Sequence, residues 1–201
     1  ITKIKNIEEE VIRHRDEIEL QRDQITKQRD YVMKQRDEIS HQKEEITEGI
    51  IYAEHIQTAI LPPDEYIKER LPQYFILYQP RDIVSGDFYW VRRIDQYVIF
   101  TAADCTGHGV PAALMSMMGS ALLNEILNNY VKDESRIPKP SDILAELREQ
   151  IIRSLHQTSK IDSANDGMDM SLCILNTETL MLQYAGANSP LYIVPTQLIT
   201  F

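Results

Sequence analysis

At 201 residues the chain has room for one globular domain and an extended element. Its hydrophobic fraction of 43% suits a buried core, and its net charge of −10 argues against nucleic acid or an anionic membrane surface as a partner. Its two cysteines, Cys105 and Cys173, lie far apart and form neither a disulfide framework nor a zinc spacing, which suits a reducing cytoplasm.

The first fifty residues repeat with a period of seven. From Arg15 they read RDEIELQ, RDQITKQ, RDYVMKQ, RDEISHQ, KEEITEG. One apolar stripe runs Ile4, Val11, Ile18, Ile25, Val32, Ile39, Ile46. A second seam position starts with Ile7 and continues as His14, Gln21, Gln28, Gln35, Gln42. A seven-residue apolar repeat keeps one seam toward a partner helix, and β-branched residues at its first position favour two strands. The spacing predicts a homodimeric, parallel coiled coil over residues 1–61, with Ile18, Ile25, Val32, Ile39 and Ile46 in the dimer seam. Glutamines at the second position make a wet, weaker seam, which suits a helix that transmits a signal. Ala53, Ile56 and Ile60 continue the stripe until Pro62-Pro63 ends the helix.

Residues 62–201 read as a single domain. Tyr74–Gln79, Asp87–Arg93 and Tyr97–Ala103 have strand patterns, the last two joined by a turn at Ile94-Asp95-Gln96. The loop Asp104-Cys105-Thr106-Gly107-His108-Gly109 follows, and Pro111 starts a helix to Tyr130 that is apolar nearly all round and so predicted buried. Residues 131–140 form a polar loop, and Ser141-Asp142 caps an amphipathic helix to about His156. Residues 157–167 read as a loop. Met170–Asn176, Leu180–Tyr184 and Leu191–Val194 are further strands. Hairpin-linked strands with grouped helices predict an α+β fold with antiparallel sheets. No run approaches the roughly 20 apolar residues that span a bilayer, and no signal peptide is visible. Beginning at Ile1, the chain reads as part of a longer cytoplasmic protein, which an upstream segment can attach to a membrane sensor.

Three carboxylates stand where a strand or turn does not need them. Asp87 follows Gly86 and opens an aromatic strand. Asp104 closes VIFTAA and opens the glycine loop. Asp169 lies in Asp166-Gly167-Met168-Asp169-Met170, before another apolar strand. Taken singly, each fits a turn former or a helix cap. Together, beside glycines that admit close backbone approach, they suit hard cations, which take oxygen ligands. Two such ions can share a bridging carboxylate and polarise a water for attack on phosphorus.

Leu61-Pro62-Pro63, Pro80-Arg81-Asp82 and Ser85-Gly86-Asp87-Phe88-Tyr89-Trp90 resemble the opening of SpoIIE-like (RsbU-type) phosphatases of the PPM family. Ala103-Asp104-Cys105-Thr106-Gly107-His108-Gly109-Val110-Pro111-Ala112 resembles their second motif. Asp166-Gly167-Met168-Asp169-Met170 with Ala185-Gly186-Ala187-Asn188 resembles their third. The resemblance implies two packed antiparallel sheets flanked by helices and a site for two Mn²⁺ or Mg²⁺ ions. It implies that Asp104 bridges the ions, that Asp87 and Asp169 each bind one, and that the Cys105 backbone carbonyl is a ligand. Asp166 competes with Asp169 for its role. His108 is a candidate proton donor to the leaving oxygen, or a loop histidine that only packs. The implied reaction is hydrolysis of phosphoserine or phosphothreonine on a regulatory protein of the anti-sigma-factor antagonist type in a bacterial signalling pathway. The stalk is expected to control it, and neither cysteine is needed as a nucleophile. The family carries a further C-terminal metal aspartate that does not occur before Phe201. Residues 1–201 by themselves are therefore expected to show weak or no activity, and a non-catalytic coiled-coil adaptor with a degenerate phosphatase fold is the alternative expectation.

Overall fold

The computed structural model describes residues 2–132, 138–156 and 167–194, in two compact units that divide after Gly49. The first unit is helical and belongs to α1 (Thr2–Ile60). No proline and only one glycine, Gly49, precede Ile60, so nothing in the sequence breaks the backbone ladder. The expected seam is open along this unit: Ile18 is 56% exposed and Ile25 63%. Its side-chain bonds are local, such as Arg15 and Arg36 to the adjacent Asp16 and Asp37, and Thr26 Oγ1 donating to the Arg22 carbonyl. Exposed pairs of this kind contribute about 0–1 kcal/mol. Within one chain, then, this unit buries no core of its own.

The second unit starts with the last turns of α1, which end before Pro62-Pro63 as expected. A short helix that the sequence reading did not assign follows, α2 (Asp64–Lys68), entered from an extended Pro63. Then β1 (Phe88–Ile94) and β2 (Tyr97–Cys105) form the expected hairpin, with Asp95 in the left-handed region at φ 51. They are followed by α3 (Gly109–Lys132), α4 (Pro140–Ser154), β3 (Met168–Asn176) and β4 (Leu182–Ala187). The four strands form one antiparallel sheet in the order β1-β2-β3-β4.

Helices α3 and α4 cover one face of that sheet. Their Leu123, Ile126, Leu127, Ile143 and Leu147 pack on Phe88, Trp90, Ile99, Ala103, Met170 and Leu172. These strand residues alternate along each chain, so one pleat faces the helices and the other faces away. On the outer pleat Tyr89, Val91 and Phe100 are half-buried and Ala102 is exposed. The resemblance implies two packed sheets; the described residues supply this one.

Several local expectations change. Tyr74–Gln79 and Leu191–Val194 are not strands: Phe75 is 91% exposed and Tyr192 82%, and neither segment pairs with a sheet edge. An apolar run has strand propensity, but the ladder needs a partner. Helix α4 is entered from Lys139 with Pro140 at its first position, and Ser141-Asp142 sit in its first turn without a side-chain cap bond. Gly109–Val131 is long and apolar enough by composition to cross a membrane, contrary to the sequence reading, and half of it is buried. It is also not buried all round, since Leu114 is 61% exposed. The loop expected at 157–167 lies, except for Gly167, outside the described residues.

Leu123→Ala, at a fully buried position of α3, is expected to lower the unfolding free energy by about 2–5 kcal/mol. The check is a reduced urea midpoint at an unchanged m-value, with exposed Leu114→Ala as a near-neutral control.

Candidate metal centre

The strand register decides where the three aspartates meet. On β2 and β3, Asp104 and Asp169 are direct Cα partners. On β1, Phe88 pairs with Ala103, so Asp87 stands one step beyond, beside Asp104. Partners across an antiparallel pair lie about 4.5–5.5 Å apart and point to the same face. Asp87, Asp104 and Asp169 therefore form one row across three strands at the sheet end, with Asp104 in the middle. All three are exposed, while the next residues toward the core, Phe88, Ala103 and Met170, are buried. Asp166 lies outside the described residues.

The row is electrostatically tense. Although Asp87 is exposed as a whole residue, partial burial of its carboxyl pushes it above the ordinary aspartate range, and its hydrogen bond to Asp104 and the charge of Asp104 push the same way. Two carboxylates this close repel unless a proton or a cation lies between them. The donor set is all oxygen, which suits a hard divalent ion, Mg²⁺ or Mn²⁺. Among the described residues no group of three His, Cys, Asp or Glu side chains is placed to hold a metal ion as the side chains stand. By register Asp87 stands beside Asp104, and Asp169 is the Cα partner of Asp104 on the next strand.

Backbone close to the row is held by specific contacts. A Cβ on Gly86 would lie 3.0 Å from the Ala112 Cβ and 3.2 Å from the Cys105 carbonyl oxygen, so only glycine lets this loop lie against that carbonyl. The carbonyl thus sits directly beside the Asp87 loop. The Cys105 thiol is buried, and burial, aided by the charges of Asp104 and Asp87, raises it to about 12. Cys173 is raised to about 11 by burial. Neither is a thiolate at neutral pH, as a reaction without a cysteine nucleophile requires.

Gln57, in the last turns of α1, is a site residue that the sequence reading missed. It is 4% exposed. Its Nε2 donates to the Ser85 carbonyl and to Ser116 Oγ, and its Oε1 accepts from the Ser85 N–H at 2.9 Å. The Ser85 hydroxyl accepts in turn from the Asp87 N–H at 3.0 Å. One buried amide therefore satisfies both backbone groups of Ser85, two residues before a candidate ligand, and ties them to α3.

On the other flank, Asn188 Nδ2 donates to Asp169 Oδ2 at 2.7 Å. Asn188 has a left-handed backbone at φ 52 and bridges to Met170. This fixes one Asp169 oxygen and leaves the other available. Thr106 and Gly167 clamp each other: the Thr106 N–H donates to the Gly167 carbonyl at 2.9 Å, and the Gly167 N–H donates to Thr106 Oγ1 at 3.2 Å. His108 is exposed, and its Nδ1 lies 3.1 Å from Asp82 Oδ2.

The family model for stage II sporulation protein E (SpoIIE) matches residues 94–198. That span holds Asp104, Cys105, His108 and Asp169, and begins after Asp87. Among solved structures, the chain is similar to the SiaA-PP2C domain of Pseudomonas aeruginosa, with 34% identity and a TM-score of 0.59. That match covers 72% of this chain and 55% of the other, so the chain spans little more than half the length of that relative. Comparison with curated proteins gives no match.

A raised carboxyl contributes to stability below the ordinary aspartate range and loses that contribution as the pH rises through its folded value. Cation-free Asp87→Asn is therefore expected to melt above the parent at neutral pH, with the difference closing in acid. Saturating Mn²⁺ is expected to reverse the order by stabilising only the parent. Melting curves with and without Mn²⁺ check this, and a variant that melts lower in both would contradict it.

Proposed function

This chain belongs to the SpoIIE family of PPM-type phosphatases, and we propose that it is the catalytic part of a metal-dependent protein serine/threonine phosphatase. The observation that carries the reading is the central place of Asp104, with Asp87 on one neighbouring strand and Asp169 on the other. A carboxylate flanked on both sides is the one able to bridge two ions, so the register supports the role that the resemblance implies. The Cys105 carbonyl, beside Gly86, would be a further oxygen ligand.

Bound Mn²⁺ or Mg²⁺ would supply positive charge against the phosphoryl oxygens and activate water for attack. This chain's own residues would do the rest. Asp87, Asp104 and Asp169 would hold the ions, Asn188 holds Asp169 in one orientation, and His108 would hand a proton to the departing seryl or threonyl oxygen. The substrate reading is a phosphorylated regulatory protein of the anti-sigma-factor antagonist type in a bacterial pathway. It is what membership of the family suggests.

The N-terminal helix supports a regulatory reading. A seven-residue apolar stripe more than half exposed at Ile18, Ile25 and Val32 needs a second helix, and a second copy of the same chain supplies a matching stripe. We take the stalk to be a parallel homodimer that controls the phosphatase.

The direct test is Mn²⁺-dependent phosphate release from a phosphoserine protein by the full-length protein. Asp104→Asn is expected to reduce kcat at least about 100-fold with the fold intact. Signalling that survives Asp104→Asn would instead favour the adaptor reading. Ile25→Lys combined with Val32→Lys is expected to give monomers in sedimentation and to change activity. Dimers with unaltered activity would remove the stalk from the mechanism.

A further inference from the structure

His108 does not stand alone. It lies in the loop that leaves β2 after Asp104, and its Nδ1 meets Asp82 Oδ2 at 3.1 Å. Asp82 comes from a different segment, five residues before Asp87. A Cβ on Gly109, the first residue of α3, would lie 3.9 Å from the same Asp82 oxygen. The carboxylate is thus held against the start of a 24-residue helix, where backbone N–H groups and the helix dipole favour negative charge. An open cavity of about 610 Å³ lies alongside, lined by Arg81, Asp82, Gly109 and Val110.

We propose that Asp82 is a positioning residue that fixes the tautomer and ring orientation of His108. An ionised carboxylate only accepts hydrogen bonds, so the shared hydrogen belongs to Nδ1. In either charge state of the ring, Nδ1–H stays with Asp82, and Nε2 is the nitrogen through which a proton enters or leaves. The catalytic consequence rests on the phosphatase reading. The bond from phosphorus to the seryl oxygen breaks with its electron pair going to that oxygen, which takes the proton from Nε2. The oxygen of the attacking water stays on phosphorus, its proton passes to solvent, and solvent returns a proton to Nε2.

The test reads the tautomer without catalysis. Long-range ¹H–¹⁵N correlation of the labelled full chain is recorded about two units above the ordinary histidine pKa of about 6.5, with His108→Gln to assign the ring. The expected result is a protonated Nδ1 and a bare Nε2 in the parent, moving toward the Nε2–H form in Asp82→Ala. A parent ring already in the Nε2–H form, or a ring unchanged by Asp82→Ala, would overturn the proposal and leave the phosphatase reading untouched. In the full-length protein, Asp82→Ala is expected to add no further loss of kcat to His108→Gln. Independent, additive losses would overturn the coupling. Should no Mn²⁺-dependent activity exist at all, the phosphatase reading fails while the tautomer result still stands or falls by itself.

Discussion

The register of β2 between β1 and β3 is the constraint on which the site depends. It brings Asp87, Asp104 and Asp169 into one row. Like charges do not line up by themselves; the apolar pleat next to them sets their positions along the strands. Phe88, Ala103 and Met170 sit one residue inward and are buried under α3 and α4. A slip of one residue would turn these side chains to the outer face and the aspartates toward the core. Burial of that pleat, at roughly 25 cal/mol per Å² of apolar surface, fixes the register. The register then fixes the charges.

Around the row, polar contacts finish what the sheet starts. Gln57 satisfies both backbone groups of Ser85 from a helix 28 residues upstream. Thr106 and Gly167 lock the loop after Asp104 to the start of β3, 61 residues later. Asn188 takes one oxygen of Asp169. Each contact binds segments that the chain keeps far apart, and the buried ones would be costly to leave half-made. The raised Asp87 carboxyl shows the other side of this arrangement: burial and the nearby Asp104 both disfavour its charge.

The two units rest on different physics. The second unit has a core of strands and helices and buries its own apolar pleat. The first is a helix whose apolar stripe is more than half exposed at nearly every seam position. Its sequence is specific in period and has no use for that period within one chain. That exposed stripe is the surface which the proposed second helix would cover.

Much of this was legible in the residues. The heptads gave the long helix and its end at Pro62-Pro63, because periodicity and proline act locally. The strand patterns over Asp87–Arg93 and Tyr97–Ala103, with the turn at Ile94-Asp95-Gln96, gave the hairpin, and the amphipathic pattern up to about His156 gave α4. The ordered motifs around Asp87, Asp104 and Asp169 pointed to the family and to carboxylate chemistry. Tyr74–Gln79 and Leu191–Val194 misled, because an apolar run does not reveal whether a partner edge is present. Gln57 looked like one more polar helix residue, and nothing local marked it as buried. Asp82 and His108 are 26 residues apart, and their pairing follows from how the Asp87 segment lies across the start of α3. The sequence by itself determined most of the elements and the family, and pointed to carboxylate chemistry, since these depend on residue type and local spacing. Only the tertiary structure decided that Asp104 is the middle of the row and which side chains hold its neighbours, since strand pairing and long-range hydrogen bonds are set by packing between distant segments.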